Sequence, residues 1–293
     1  MSIKYIFDFI FNTHTSSEEE SETESEEESE SERESETESE REESEFLLTV
    51  TKSPEDSRDW IGESIFPAEL SLPKILDYRK ELQPIRNQGA QGSCAAQSSS
   101  CMKEWQERRD IELNTYMSPQ FIYNNRENEG EGMYGRDVMR ILSKLGCCLE
   151  KDYEYGKVED QEEIDDQLYE KALNFRIKAY AQIKTIDGCK KALFQNGPCL
   201  ITFPVYNHST TMWKPEKINQ KMSGGHAMTI VGYNKEGFII RNSWGQGWGD
   251  NGYCIYPFDD FGMHWEIWTT IDDKSNEIPE ITTKNKCCIF LRK

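Results

Sequence analysis

From Cys94 to about Leu145 the chain alternates helix-compatible segments with cap and stop residues, and beyond Tyr180 short apolar, β-branched runs take over. Ser93 is placed to cap a helix running from Cys94 toward Arg109, and Ser118 followed by Pro119 reads as N-cap and first helical residue of a second. A third helix, about Asp137 to Leu145, stops at Gly146, and a fourth, Asp187 to Gln195, is ended by Gly197-Pro198. The runs CLITFPVY, HAMTIVGY, GFIIRN, GYCIYP and HWEIWTTI have the composition of strands. Helices first and strands second predict an α+β protein of two lobes, and a cleft between such lobes is a natural site. No internal repeat is visible.

Before Leu72 the pattern is different. Ser16 to Glu45 contains only Ser, Thr, Glu and Arg, with 17 Glu against 2 Arg, so this stretch carries −15 of the chain's net −20. It cannot bury enough apolar area to offset the entropy of ordering and is expected to be disordered. It reads as a solvated tail, or as a docking segment for a basic partner tuned by phosphorylation at serines such as Ser21, Ser25 and Ser35. The expected organisation is an acidic, Ser/Glu-rich disordered N-terminal region over 1–64, a two-lobed domain over 65–272 and an extension over 273–293. The charge excludes a basic nucleic-acid binder. No run approaches the ~18 consecutive apolar residues of a membrane-spanning helix, so a soluble monomer is expected. MSIKYIFDFIF is broken by Asp8 and followed by no small-residue cleavage site, which argues against a secretory leader.

The nine cysteines include two vicinal pairs, Cys147/Cys148 and Cys287/Cys288, that are poor partners for an ordinary internal disulfide. No ligand-type Cys/His spacing supports a zinc site, and no metal or organic cofactor is expected. The odd count leaves at least one thiol free, and the count fits a reducing compartment as well as an oxidising one.

A thiol nucleophile needs a base, a group that orients the base, and donors for the developing oxyanion. Cys94 follows Gly92-Ser93 at a helix start, where free N–H groups and the helix dipole favour a thiolate; a small buried structural cysteine is the alternative at that position. Of four histidines, His14 borders the acidic stretch, while His208 and His264 lie in a loop and beside Trp265. His226 opens a strand after Gly224-Gly225, which lets backbone approach closely. His226 lies 132 residues after Cys94, and Asn242 lies 148 after it.

Three ordered motifs make the pattern specific: NQGAQGSCAA at 87–96, GGHAMTIVGY at 224–233 and IIRNSWGQGWGDNGY at 239–253. In them the sequence resembles the papain-like cysteine proteases, where His and Asn follow the nucleophile by about 130 to 150 residues. The resemblance extends over about 72–271, through LPKILDYR, MSPQFIYN and NGPCLITF. It implies a helical N-terminal lobe and a β-barrel-like C-terminal lobe with the active-site cleft between them. It implies Cys94 as nucleophile, His226 as general base and acid, Asn242 as the group orienting the imidazole and Trp244 as the shield of that bond. Gln88 would donate to the oxyanion beside the Cys94 N–H. Gly132 would pair with extended substrate, with Gly130 and Gly135 as competitors, and Gly225 would also border the substrate.

The sequence departs from the common family pattern in two places. Gln91 stands where relatives have the first cysteine of Cys-Gly-Ser-Cys-Trp, whose loss removes a disulfide typical of secreted relatives and favours a reducing compartment, and Ala95 replaces the aromatic. An acidic stretch and a short linker precede Leu72 instead of a long helical propeptide, which puts ordinary zymogen control in doubt. The function expected is hydrolysis of peptide bonds in protein or peptide substrates through a Cys94 thioester. The rivals are a catalytically silent peptide-binding module with an acidic docking tail, and an acyl-transfer enzyme using an amine acceptor.

Overall fold

The computed structural model describes residues 46–272 other than 129 and 159. The expectations for residues 16–45 and 273–293 therefore lie outside the described residues. Five α-helices are described: α1 (Cys94–Ile111), α2 (Pro119–Asn124), α3 (Gly135–Lys144), α4 (Asp166–Ala172) and α5 (Ile186–Asn196). Seven strands accompany them: β1 (Leu76–Asp77), β2 (Ile177–Ile183), β3 (Cys199–Val205), β4 (Gly224–Tyr233), β5 (Gly237–Arg241), β6 (Tyr253–Pro257) and β7 (Glu266–Asp272). The α+β class expected from the sequence is what the chain forms.

Local chemistry explains most boundaries. Ser118 Oγ accepts the Phe121 N–H at 3.0 Å, so Ser118-Pro119 opens α2 as its sequence predicts. Thr185 caps α5 through the Gly188 N–H, and Gly197, with φ 95°, ends it. The expected third helix starts two residues earlier, at Gly135, and Leu145 follows it in the cap position. Three elements had no counterpart in the sequence pattern: α4, β2 and the two-residue β1. The half-exposed β2 alternates only weakly, and α4 is seven residues long, too short for a legible period.

Helix α1 is buried almost along its whole length, although its residues are largely polar. Several of its polar side chains are paired internally. Ser99 and Ser100 donate to the carbonyls of Ala96 and Gln97, Gln106 donates to Thr270 Oγ1 at 2.9 Å, and the fully buried Lys103 bonds the carboxylates of Glu107 and Asp272. A buried ammonium is tolerable only with such partners. The helix is thereby tied to β7 and packs across β4, which puts its first residue beside the sheet.

The strands form an antiparallel sheet in the order β2-β7-β3-β4-β5-β6, with β1 paired to β4. The sheet is not closed into a barrel, since β2 and β6 stand at its two ends; the barrel-like description fails on that point. One apolar core lies on the α5 side of the sheet, around Phe203, Trp213, Phe238 and Tyr256. A second joins α1, α2 and α3 to the opposite side, around Met102, Ile122, Leu142 and Trp268.

Residues from Phe46 onward group with this body. Phe66 enters the first core, Ile61 bridges to Gln182, and Glu63 accepts the N–H groups of Lys184 and Thr185 at 2.8 Å each. The boundary expected at residue 64 thus coincides with no break in the described structure, because Phe46 to Ser64 makes its own packing and hydrogen bonds to the lobes.

Candidate active site

Cys94 is the first residue of α1 and is fully buried. Ser93 stands in the N-cap position, but its hydroxyl makes no bond to a helix N–H and lies 2.6 Å from the Tyr155 hydroxyl instead. The cap expected from the sequence is thus diverted. The amides of Cys94 and Ala95, with that of Ala227, are left facing the Cys94 thiol. The Ala227 contact puts the thiol next to His226 in β4.

His226 is held by strand register, opposite Phe203 in the β3–β4 ladder. Its Nε2 lies 2.7 Å from Asn242 Oδ1, which also accepts the Ser243 N–H at 2.8 Å. An amide oxygen can only accept, so Nε2 carries the proton and Nδ1 keeps the lone pair. Nδ1 has no hydrogen-bond partner among the described residues. Trp244 stacks on the imidazole with ring centroids 4.4 Å apart, where it excludes water from the His226–Asn242 bond.

The loop carrying Gln88 reaches this corner by pairing with the segment after β5. Gln88 N–H donates to Ser243 O at 2.8 Å, Asn87 bridges to Trp244, and the Gly245 N–H donates to Arg86 O. The Gln88 side chain is fixed at both ends: Oε1 accepts the Ser243 hydroxyl at 2.7 Å, and Nε2 donates to Gln91 O at 3.0 Å. Cys94, His226, Asn242, Gln88 and Trp244, distant in sequence, therefore converge.

Burial disturbs both members of the presumed proton pair. The Cys94 thiol is pushed up to about 11, and His226 is pulled down to about 4, in each case chiefly because water is excluded from the charged form. These surroundings favour the neutral thiol and the neutral imidazole over a thiolate–imidazolium pair. A strap of chain, Phe46 to Ser53, lies across the cleft. Phe46 stacks on Trp244 at 4.9 Å. The Val50 N–H donates to Gly225 O at 3.1 Å and the Gly225 N–H to Leu48 O at 3.4 Å. Thr49 Oγ1 donates to Gly92 O, and the Val50 side chain is buried in the core that holds Cys94 and Ala227. At the far end, Ser53 Oγ donates to Glu266, whose carboxyl is raised by burial.

Gly132 and Gly225 flank the strap from opposite walls. A Cβ on Gly132 would lie 1.9 Å from Thr49 O, and one on Gly225 2.1 Å from Val50 O. Both glycines admit an extended chain at backbone distance. A Cβ on Gly135 would meet Glu266 and Trp268 instead, and one on Gly130 would meet nothing within 4 Å.

The model of the papain family cysteine proteases matches residues 72–260. This chain belongs to that family. It is 30% identical over 223 residues to an uncharacterized peptidase C1-like protein of Acanthamoeba polyphaga mimivirus, covering 68% of this chain and 71% of that protein. It is 28% identical over 201 residues to papain of Carica papaya, covering 63% of this chain and 55% of papain. It thus spans less than two thirds of papain's own length. Among solved structures, xylellain, a cysteine protease from Xylella fastidiosa, superposes with a TM-score of 0.65 at 27% identity, covering 77% of this chain and 96% of that one. Family membership agrees with the resemblance carried by the three motifs.

The seven described cysteines are all free thiols, and no group of three or more His, Cys, Asp or Glu among the described residues could hold a metal ion. No helix among the described residues is long and apolar enough to cross a membrane. Three features of the site went unread in the sequence: the strap, Ser243 and Tyr155. The strap had a signal, since FLLTVT is an apolar, β-prone run directly after the acidic stretch. Tyr155 and Ser243 had none, because their partners are 67 and 155 residues away.

Proposed function

We propose that this protein is a cysteine-type endopeptidase held latent by residues 46–53 of its own chain. The observation that carries the reading is the convergence of Cys94, at a helix start, with the His226–Asn242 bond and the doubly anchored Gln88. When the strap leaves, water and substrate return to the cleft, the desolvation of both groups falls, and the thiol proton can pass to the free Nδ1 of His226. The Cys94 sulfur then attacks the peptide carbonyl. The oxyanion takes hydrogen bonds from Gln88 Nε2 and the Cys94 N–H, and His226 protonates the leaving amine. Water, deprotonated by His226, hydrolyses the thioester. Asn242 keeps the imidazole in the tautomer this sequence requires, and Trp244 keeps its bond dry. Gly132 and Gly225 would bind the substrate backbone in the room the strap now fills.

The test is labelling of the reduced protein with an epoxide-type thiol protease inactivator, followed by peptide mass spectrometry, with His226→Ala as control. The expected result is an adduct on Cys94 that depends on His226 and forms faster once the strap is weakened. Labelling that is absent from a strap-weakened variant, or scattered over the other cysteines, would favour the silent peptide-binding module.

A further inference from the structure

Tyr155 lies outside the residues that the peptidase reading uses, yet it links one of them, Gln88, to the neighbour of another, Cys94. Its hydroxyl donates to the main-chain carbonyl of Gln88 at 2.8 Å and lies 2.6 Å from Ser93 Oγ. With the phenol proton given to Gln88 O, the Ser93 hydroxyl is the donor in the second bond. One side chain therefore joins the loop that bears the oxyanion donor to the residue just before the nucleophile. Tyr155 is itself anchored, since its N–H reaches Glu150 and the next residue's N–H, Gly156, donates to Gln120 Oε1 at 2.9 Å. Gln120 is fully buried in α2 and also accepts from Gln91 Nε2.

We propose that Tyr155 is a positioning residue of the oxyanion site: it fixes the Gln88 main chain relative to Cys94, and by engaging Ser93 it keeps that hydroxyl from capping α1. The second effect follows from the competition at a helix start. A serine in the cap position ordinarily accepts from the second or third helical N–H. Here that oxygen is turned to the phenol, and the first amides of α1 stay directed at the sulfur and at the place where an oxyanion would form. The first effect follows from geometry. Oxyanion stabilisation depends on donor placement within a few tenths of an ångström, and Gln88 otherwise sits on a loop next to Gly89. Its side chain is held by Ser243 and Gln91 O, and its carbonyl by Tyr155.

This inference rests on the peptidase reading, and its test separates the two. The probe is an N-acylated valyl-glycine nitrile, the valine chosen because Val50 packs in the apolar cluster that holds Cys94 and Ala227. The Cys94 thiol adds across the nitrile: a sulfur–carbon bond forms, one carbon–nitrogen π bond is lost, and the thiol proton ends on nitrogen as a thioimidate whose nitrogen takes the oxyanion's place. The reference ligand is the same peptide with a methyl group in place of the nitrile, which binds but cannot add. The strap competes with both ligands equally in the full chain, so the ratio of their affinities reports on the adduct site alone.

Tyr155→Phe is expected to lower that ratio about tenfold, the size of one well-placed hydrogen bond, with unchanged affinity for the methyl compound. In a Gln88→Ala background the same substitution is expected to change the ratio less than twofold, because a residue that acts through Gln88 has nothing left to position. An unchanged ratio in Tyr155→Phe, equal losses for both ligands, or additive losses with Gln88→Ala would each overturn the assignment. If Tyr155→Phe does not melt cooperatively, Ser93→Ala breaks the other end of the bridge and is expected to lower the ratio about threefold; no change there overturns it too. A wild-type chain that does not prefer the nitrile would remove the peptidase reading and the role of Tyr155 with it.

Discussion

The two walls of the cleft hold their functional groups by different means. On the sheet side, His226 and Asn242 are set by strand register: β4 pairs with β3 over seven residues and with β5 beyond, and the His226–Asn242 bond spans the exit from β5. On the helix side, Cys94 stands at a helix start and Gln88 on a loop joined to the segment after β5 by a short bridge alone. The Gln88 side chain and carbonyl are held by single bonds, to the Ser243 hydroxyl, the Gln91 carbonyl and the Tyr155 hydroxyl. A ladder tolerates the loss of any one side chain, whereas a loop held by single hydrogen bonds moves when one is cut. The strap exploits both walls, since it takes backbone bonds from Gly225 on one side and a side-chain bond to Gly92 on the other.

Several substitutions would break or sharpen this contrast. Cys94→Ala should abolish turnover, by at least about a thousandfold, without shifting the thermal midpoint by more than a degree or two, since the buried site loses one sulfur atom. Undiminished hydrolysis by that variant would refute the role of Cys94. A comparably large effect is expected from pH in the strapped chain. With the thiol raised to about 11, Cys94 is neutral below that pH. Its alkylation by iodoacetamide should climb about tenfold per pH unit toward 11, where an ordinary thiol levels off near pH 9. At pH 8 this is about a thousandfold less thiolate than at full ionisation. A plateau near pH 9, read by mass spectrometry of the Cys94 peptide, would mean that the strap does not seal the site.

Val50→Asp puts a carboxylate into that apolar cluster and should loosen the strap. Cys94 labelling at pH 7.5 should then rise by about a hundredfold, while a rise no larger than that of an exposed control such as Thr51→Asp would separate latency from the strap. Asn242→Ala, on the ladder side, should lower turnover by about thirtyfold in the strap-loosened protein, because the imidazole loses its orienting bond but keeps its strand. Ser243→Ala frees one end of the Gln88 side chain and should lower turnover about fivefold. If the loop side proves insensitive to Ser243 while Asn242→Ala is severe, the contrast between the walls is wrong.

How much of this was legible depends on the range of the interactions. The helix starts at Cys94 and Pro119 and the stop at Gly197 are local chemistry within a few residues, and so were readable. The strands around His226 and Asn242 were readable because each is an apolar run between turn residues. Helix α1 was readable from its start and not from its period, since almost all its faces are buried and its polar groups are paired with distant partners. The Ser93 cap shows the limit of local reasoning: the position is a cap, and the hydroxyl is claimed by a tyrosine 62 residues away.

The sequence by itself determined the family and singled out Cys94, His226 and Asn242 as its candidate site, because each lies in a motif legible over a few residues. It also marked Gly224-Gly225 as a place where backbone can approach closely, and left Gly132 open against Gly130 and Gly135. The tertiary structure alone decided the state of those groups. Burial holds the thiol high and the imidazole low, and burial is a property of what lies nearby in space rather than in sequence.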